Sequence, residues 1–241
     1  MTISDFIQKY REAFGDAVPL PVAFGYSCEA ATEVRKIPRC MVGAIRGVCE
    51  KGALTLSAEN VLCGGGRLYT AFDRMPEQVP RFVSAMEHYK QSEELARAYI
   101  DHLGIVLSEQ PYLNFLRVDR LESWEGMEGL LFFATPDMLS GLCAWAFYDN
   151  NEENAVSVPF ASGCCGIVTL ATQENRRGGR SCFIGLLDPS ARLLIPKEEL
   201  TFTIPMGRLR EMLSTLDDSA LYQKAFSLVR KRITGELGKG K

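Results

Sequence analysis

The sequence predicts an α/β or α+β protein, a mixed sheet with helices packed on its faces. Strand-like apolar runs and helix-like stripes interleave from one end of the chain to the other. Hydrophobic residues make up 46% and charged residues 24%, an ordinary globular balance. At 241 residues the chain is long enough to bury a sizeable core without a metal or disulfide to hold it. A boundary near Gln110-Pro111 would need a flexible linker, and none is there. A single domain over 1–241 is expected.

Residues 4–14 form an amphipathic helix, with Phe6, Ile7, Tyr10 and Phe14 on one side and Ser4-Asp5 at its start. Pro19-Leu20-Pro21 breaks it, and 22–26 then read as a short buried strand. Residues 39–50 have helical spacing, weakened at Gly43 and Gly47. A strand at 54–56 precedes Ser57–Asn60, which cap a helix that runs through Val61 and resumes beyond Gly64-Gly65-Gly66 toward Phe72. Two helices fill 77–103, one with the stripe Phe82, Met86, Tyr89 and the other with Leu95, Tyr99, Leu103. Strands follow at 113–118 and 130–134. Thr135-Pro136-Asp137 is a strong helix start: a hydroxyl cap, a proline at the first position, then a carboxylate. Strands at 156–160, 182–187 and 200–204 and helices at 206–216 and 219–233 complete the chain.

The formal charge of −3 argues against a nucleic-acid-binding protein, which needs a basic stripe. No run approaches the roughly 20 apolar residues of a membrane span, so no membrane partner is expected. The start, MTISDF, has no basic-then-apolar leader, and a cytoplasmic location is expected. Eight cysteines in such a chain read as free thiols, some of them simply core.

Standard motifs are missing. The glycine triplet lacks the Lys-Ser/Thr pair of a phosphate loop, Tyr69 stands where a G-x-G-x-x-G frame needs its last glycine, and no G-x-S-x-G elbow exists. His88 and His102 are the two histidines, too few for a three-histidine zinc site. No C-x-x-C pair is present.

The cysteines divide by context. Cys143 and Cys182 lie on apolar stripes and read as core. Cys40 and Cys49 are about 900° apart on a helix, on opposite faces, so at most one serves a site. Cys63 precedes three glycines whose N–H groups can converge on an anion; a functional thiol and a packed turn both fit. Of the adjacent pair Cys164-Cys165, one can face a site while the other enters the core. Arg176-Arg177-Gly178-Gly179-Arg180 is either an anion clamp or a solvated loop.

The series Pro21-Val22-Ala23, Cys40, Cys63-Gly64-Gly65-Gly66, Pro136-Asp137 with Leu142 and Tyr148, Cys164, Gly178-Gly179-Arg180 and Ile204-Pro205 resembles the bacterial and archaeal family called domain of unknown function 169. The resemblance runs from about residue 20 to 215. It implies that Cys40, Cys63 and Cys164 match the family pattern, while Cys28, Cys49, Cys143, Cys165 and Cys182 are local. Gly178-Gly179-Arg180 departs from relatives that place an acidic residue before the arginine.

Three functional readings follow. In the first, Cys40, Cys63 and Cys164, with Cys165 or Cys28, hold zinc or an iron–sulfur cluster. In the second, Gly64, Gly65 and Gly66 with Arg67 or Arg180 bind a small anionic molecule beside those cysteines. In the third, the chain is an oligomeric structural or partner-binding protein, a homodimer by default, whose cysteines are core. Whether the protein is an enzyme is open.

Overall fold

The computed structural model describes residues 1–37 and 39–237. Its framework is a mixed seven-stranded sheet: β1 Val22–Ser27, β2 Ala53–Leu56, β3 Tyr112–Arg117, β4 Gly129–Ala134, β5 Val156–Ser157, β6 Cys182–Gly185 and β7 Leu200–Pro205. The order is β2-β3-β1-β4-β7-β6-β5, antiparallel throughout except for the parallel β5–β6 edge pair. Ten- to twelve-residue helices pack on the sheet together with much shorter ones, so the fold is α+β.

The side-chain period of two explains why the sheet carries two cores. Val22 and Phe24 of β1, Leu113 and Phe115 of β3, and Leu131 and Phe133 of β4 face one side. Ala23, Leu130 and Phe132, with Phe202 and Ile204 of β7, face the other. The second side is covered by α1 Ile3–Phe14, α7 Pro136–Ala146, α10 Met206–Ser214 and α11 Lys224–Ile233. The first side is covered by α2 Met41–Arg46, α3 Val48–Lys51, α4 Gly64–Tyr69, α6 Glu93–His102 and the stretch running from a π-turn at Cys165–Thr169 into α8 Leu170–Arg176.

Several local readings are corrected. Helix α1 is capped by Thr2, not Ser4: its hydroxyl accepts from the Asp5 N–H while the Asp5 carboxylate accepts from the Thr2 N–H. Gly47 divides the helix expected over 39–50. Residues 57–60 close on themselves as a turn, with the Ser57 N–H donating to Asn60 Oδ1 at 2.7 Å. The glycine triplet does not interrupt a helix but starts one. Strand β5 is two residues rather than five.

The largest difference lies in 77–103. The first helix is only α5 Gln78–Arg81, followed by a π-turn Phe82–Met86 and a left-handed His88 at φ 54°. Phe82 and Met86, expected to face the core, are 52% and 71% exposed. Val79 and Ser84 are buried instead, because the wider π-turn rotates the following residues away from a 3.6-residue period.

Candidate functional site

Cys40, Cys63 and Cys164 line one cleft of about 320 Å³ on the first side of the sheet. The three segments meet there for separate local reasons. Cys40 is the N-cap of α2, whose Met41, Val42 and Ile45 are buried and fix the helix against the sheet. Cys63 is the N-cap of α4, and its Sγ accepts the Gly66 N–H at 3.4 Å. Gly66 is tightly enclosed: a Cβ there would stand 2.7 Å from Met41 Cε, 3.0 Å from Val61 Cγ1 and 3.3 Å from Cys63 Cβ, so the Met41 side chain would have to shift. Cys164 directly precedes the π-turn Cys165–Thr169.

Asp188 ties the Cys164 segment in place. It caps α9 Pro189–Arg192, accepting from the Ser190 N–H at 2.9 Å and the Ser190 hydroxyl at 2.8 Å. Its other oxygen accepts the Gly163 N–H at 3.1 Å. The buried carboxylate is therefore saturated with donors, and its role is positional.

The opposite wall comes from α5 and the π-turn after it: Val79, Phe82, Val83 and then Glu87. The π-turn Phe82–Met86 lines this cleft and the other begins directly after Cys164; such turns are enriched at functional sites. Two of the three non-glycine residues at positive φ also flank it: His88 follows Glu87, and Leu186 (φ 64°) stands two residues before Asp188. Each such conformation costs about 1–3 kcal/mol and persists only where the surroundings impose it.

The thiols differ electrostatically. Burial pushes the Cys40 thiol up, the Val42 N–H draws it partly back, and the neighbouring Cys63 and Asp188 charges raise it further. Cys164 is raised well above the ordinary range by burial first and then by the other cysteines. Both are neutral thiols at pH 7. Cys63 is exposed at the mouth.

Glu87 is half-buried, and its carboxyl lies above the usual glutamate range, because of burial first and the Asp188 charge second. The unfolded chain therefore loses this proton at lower pH than the folded one, and stability falls as pH rises from about 4 through the raised native value. Besides Asp188, the titratable groups that share its surroundings are Tyr69, Tyr89, Lys90 and Tyr99. Glu87→Gln is expected to melt on the order of 1–2 °C above the wild type at pH 7 and level with it near pH 4. Equal offsets at both pH values would remove the charge from this account.

The structure does not bring every expected residue to the cleft. Gly64, Gly65 and Gly66 do line it. Cys165 turns away: it is fully buried, with its Sγ 3.8 Å from the Tyr99 hydroxyl, so the neighbour Cys164 alone faces the site. Arg67, though on α4, lies outside the lining and approaches Asp73 at 3.8 Å. Arg180 is also elsewhere, held by Glu211 at 2.9 Å, Glu152 at 3.3 Å and Asp149 at 3.4 Å. Arg177 is paired with the buried Glu174, which also accepts the Ser181 N–H at 2.8 Å. The arginine-glycine loop is thus a surface ion-pair structure and not an anion clamp at this site.

Cys182 is a core residue and Cys143 packs against the second core, as their contexts suggest, and Cys49, set opposite Cys40 in the sequence, is core as well. All eight cysteines are free. Among the described residues no group of three or more His, Cys, Asp or Glu side chains is arranged to hold a metal ion, and no helix is long and apolar enough to cross a membrane. A larger hollow of about 640 Å³ lies between 68–75 and 100–107, but its lining brings no cysteine or histidine to it.

Sequence reasoning missed Glu87, Ser162, Asp188 and the apolar wall at 79–83. Asp188-Pro189 carried a readable signal, a carboxylate cap before a proline at the first helical position. The others carried none.

Comparison with curated proteins and with solved structures returned no match. A family model does match, over residues 10–215, and this span includes every residue of the cleft. The chain belongs to the DUF169 family, described as Uncharacterised ArCR.

Proposed function

We propose that the protein binds a small molecule in this cleft, with the thiols of Cys40, Cys63 and Cys164 facing the ligand. The observation that carries the reading is the convergence of these three cysteines, distant in sequence, on one cavity bounded by Val79, Phe82, Val83 and Glu87. A mostly apolar hollow with a few placed polar groups is the usual form of a small-molecule site. The ligand is not bound as a simple anion. No Lys, Arg or His is among the residues lining the cleft, and its two ionisable oxygen groups are carboxyls. Eight free thiols also suit a reducing compartment, so the same reading places the protein in the cytoplasm.

A zinc or iron–sulfur centre on the same sulfurs is a second reading, favoured by one observation. One of the sulfurs faces a backbone donor, Cys63 accepting the Gly66 N–H at 3.4 Å, as metal-bound thiolates commonly do. The sulfurs would have to close up to form a metal site. Metal and acid-labile sulfide in protein purified without oxygen, absent from Cys63→Ser, would favour this reading over the first.

The test of the first reading is a thermal-shift screen of amines, carboxylates, phosphates and nucleotides, followed by iodoacetamide labelling of Cys63. At least one class is expected to raise the melting temperature and slow the labelling at least several-fold. Gly65→Val should abolish both effects while leaving the fold intact, since a Cβ at Gly65 meets only Tyr69 Cε2 at 3.9 Å and Cys63 Sγ at 4.0 Å. A screen in which nothing protects Cys63 sinks the reading.

A further inference from the structure

Val83, Glu87 and Ser162 border both the cleft and an adjoining chamber of about 40 Å³. The chamber is walled by aromatic rings from four places in the chain: Tyr69, Tyr89, Tyr99 and Phe160. Tyr89 and Phe160 meet edge to face, with their ring centres 5.4 Å apart. The Lys90 ammonium already stands over the Tyr99 ring, 4.8 Å from its centre. The ring faces here attract a positive charge, as the quadrupole of an aromatic ring does.

Glu87 stands at the junction with its carboxylate unused. It makes no side-chain hydrogen bond or ion pair with any described residue, whereas Asp188 nearby is saturated by Gly163 and Ser190. The cleft contributes no cationic side chain to balance the two acids, and the one cation lining the chamber, Lys90, stands over the Tyr99 ring and makes no ion pair with Glu87. An anion here would face two like charges, and a neutral apolar ligand would leave a half-buried carboxylate uncompensated.

Size sets the rest. The chamber is the smaller of the two spaces, about 40 Å³ against about 320 Å³ for the cleft, and suits the compact end of a ligand. The adjoining 320 Å³, walled by Val79, Phe82 and Val83, suits an apolar body.

We propose that this site takes a small organic amine, its ammonium group in the chamber against Glu87 and the rings of Tyr89 and Phe160, its apolar body in the cleft beside the thiols. The proposal rests on the cleft being a ligand site and names the class of ligand it takes.

Four probes of one shape test it: n-hexylammonium, n-hexyltrimethylammonium, 1-hexanol and hexanoate, each measured by calorimetry and by protection of Cys63 from iodoacetamide. Hexylammonium is expected to bind at least tenfold more tightly than hexanol or hexanoate. Glu87→Gln should weaken it about tenfold or more while Cys63 in the ligand-free protein is labelled at its normal rate. Phe160→Ala should weaken the trimethylammonium probe several-fold. Hexanol or hexanoate binding as tightly as hexylammonium, with Cys63 protected, would overturn the amine assignment and keep the cleft as a ligand site. Binding of hexylammonium that is indifferent to Glu87→Gln would overturn it in the same way. No binding and no protection by any of the four, together with an empty wider screen, would overturn both readings.

Discussion

Asp149→Ala is expected to destabilise the protein by about 3 kcal/mol, because it strips the main counter-ion from a buried guanidinium although Asp149 itself stands at the surface. Its partner Arg208 has a fully buried side chain, held by Asp149, by Glu211 at 2.8 Å and by the Ala146 carbonyl at 3.1 Å. Removing Asp149 leaves a buried guanidinium two hydrogen bonds short, and its Nε is already unpartnered. At roughly 2–4 °C per kcal/mol for a chain of this size, melting should fall by about 6–12 °C. The acid limb carries a second signature. The Arg208 guanidinium holds the Asp149 carboxyl well below the usual aspartate range. The stability this pair contributes is present above about pH 4 and is lost as pH falls toward the depressed native value. The variant should therefore lose less stability than the wild type between pH 4 and pH 2. A loss below about 1 kcal/mol at pH 7 with an unchanged acid limb would contradict the role assigned to this pair.

Gly163→Val is the second large effect, and it joins the core to the cleft. A Cβ at this position would stand 2.9 Å from Leu186 Cδ2, 2.9 Å from Val42 Cγ2 and 3.0 Å from Ala191 Cβ. None of these is the free end of a long side chain, so relief requires α2, α9 or the 186–188 turn to move. Overpacking of this kind costs about 1–3 kcal/mol, and the valine methyls put this case at the upper end. The same shift stretches the Gly163–Asp188 hydrogen bond that orients Cys164. Ligand protection of Cys63 should weaken together with stability, whereas Gly65→Val weakens protection alone. Denaturant melts combined with labelling rates separate the two. A Gly163→Val protein as stable as the wild type, with normal protection, would mean that this contact does not hold the site.

The sheet was largely legible because its physics is local. The alternation of Val22, Ala23 and Phe24, and of Leu130 to Phe133, assigns residues to the two faces directly, and the two cores follow that assignment. Thr135-Pro136 announces α7 by capping chemistry alone, and the Thr135 hydroxyl accepts the Met138 N–H as expected. The convergence of Cys40, Cys63 and Cys164 had a different source: it followed from a family resemblance and from the glycines around them, not from any spacing rule.

What escaped the sequence depends on long-range contacts. The π-turn at Phe82–Met86 changes which residues face inward, and nothing in the composition of 77–90 distinguishes it from a regular helix. Arg180 read as free to clamp an anion because its partners Asp149, Glu152 and Glu211 lie on other elements. The glycine triplet read as a loop because glycine disfavours helix interiors by about 1 kcal/mol. The close approach of Met41 and Val61 to Gly66 is the tertiary reason that outweighs this preference.

The most direct measurement of the account is cross-linking of the native, reduced protein with a short bifunctional thiol reagent, read by peptide mass spectrometry. Cys63 is exposed at the mouth of the cleft and shares that cavity with Cys40 and Cys164. The bridged peptides should therefore join residue 63 to residue 40 or 164, and the bridge should be lost in Cys40→Ser/Cys164→Ser. Cys63 labelled only singly, or bridged mainly to the exposed Cys28, would contradict the convergence on which the proposed site depends.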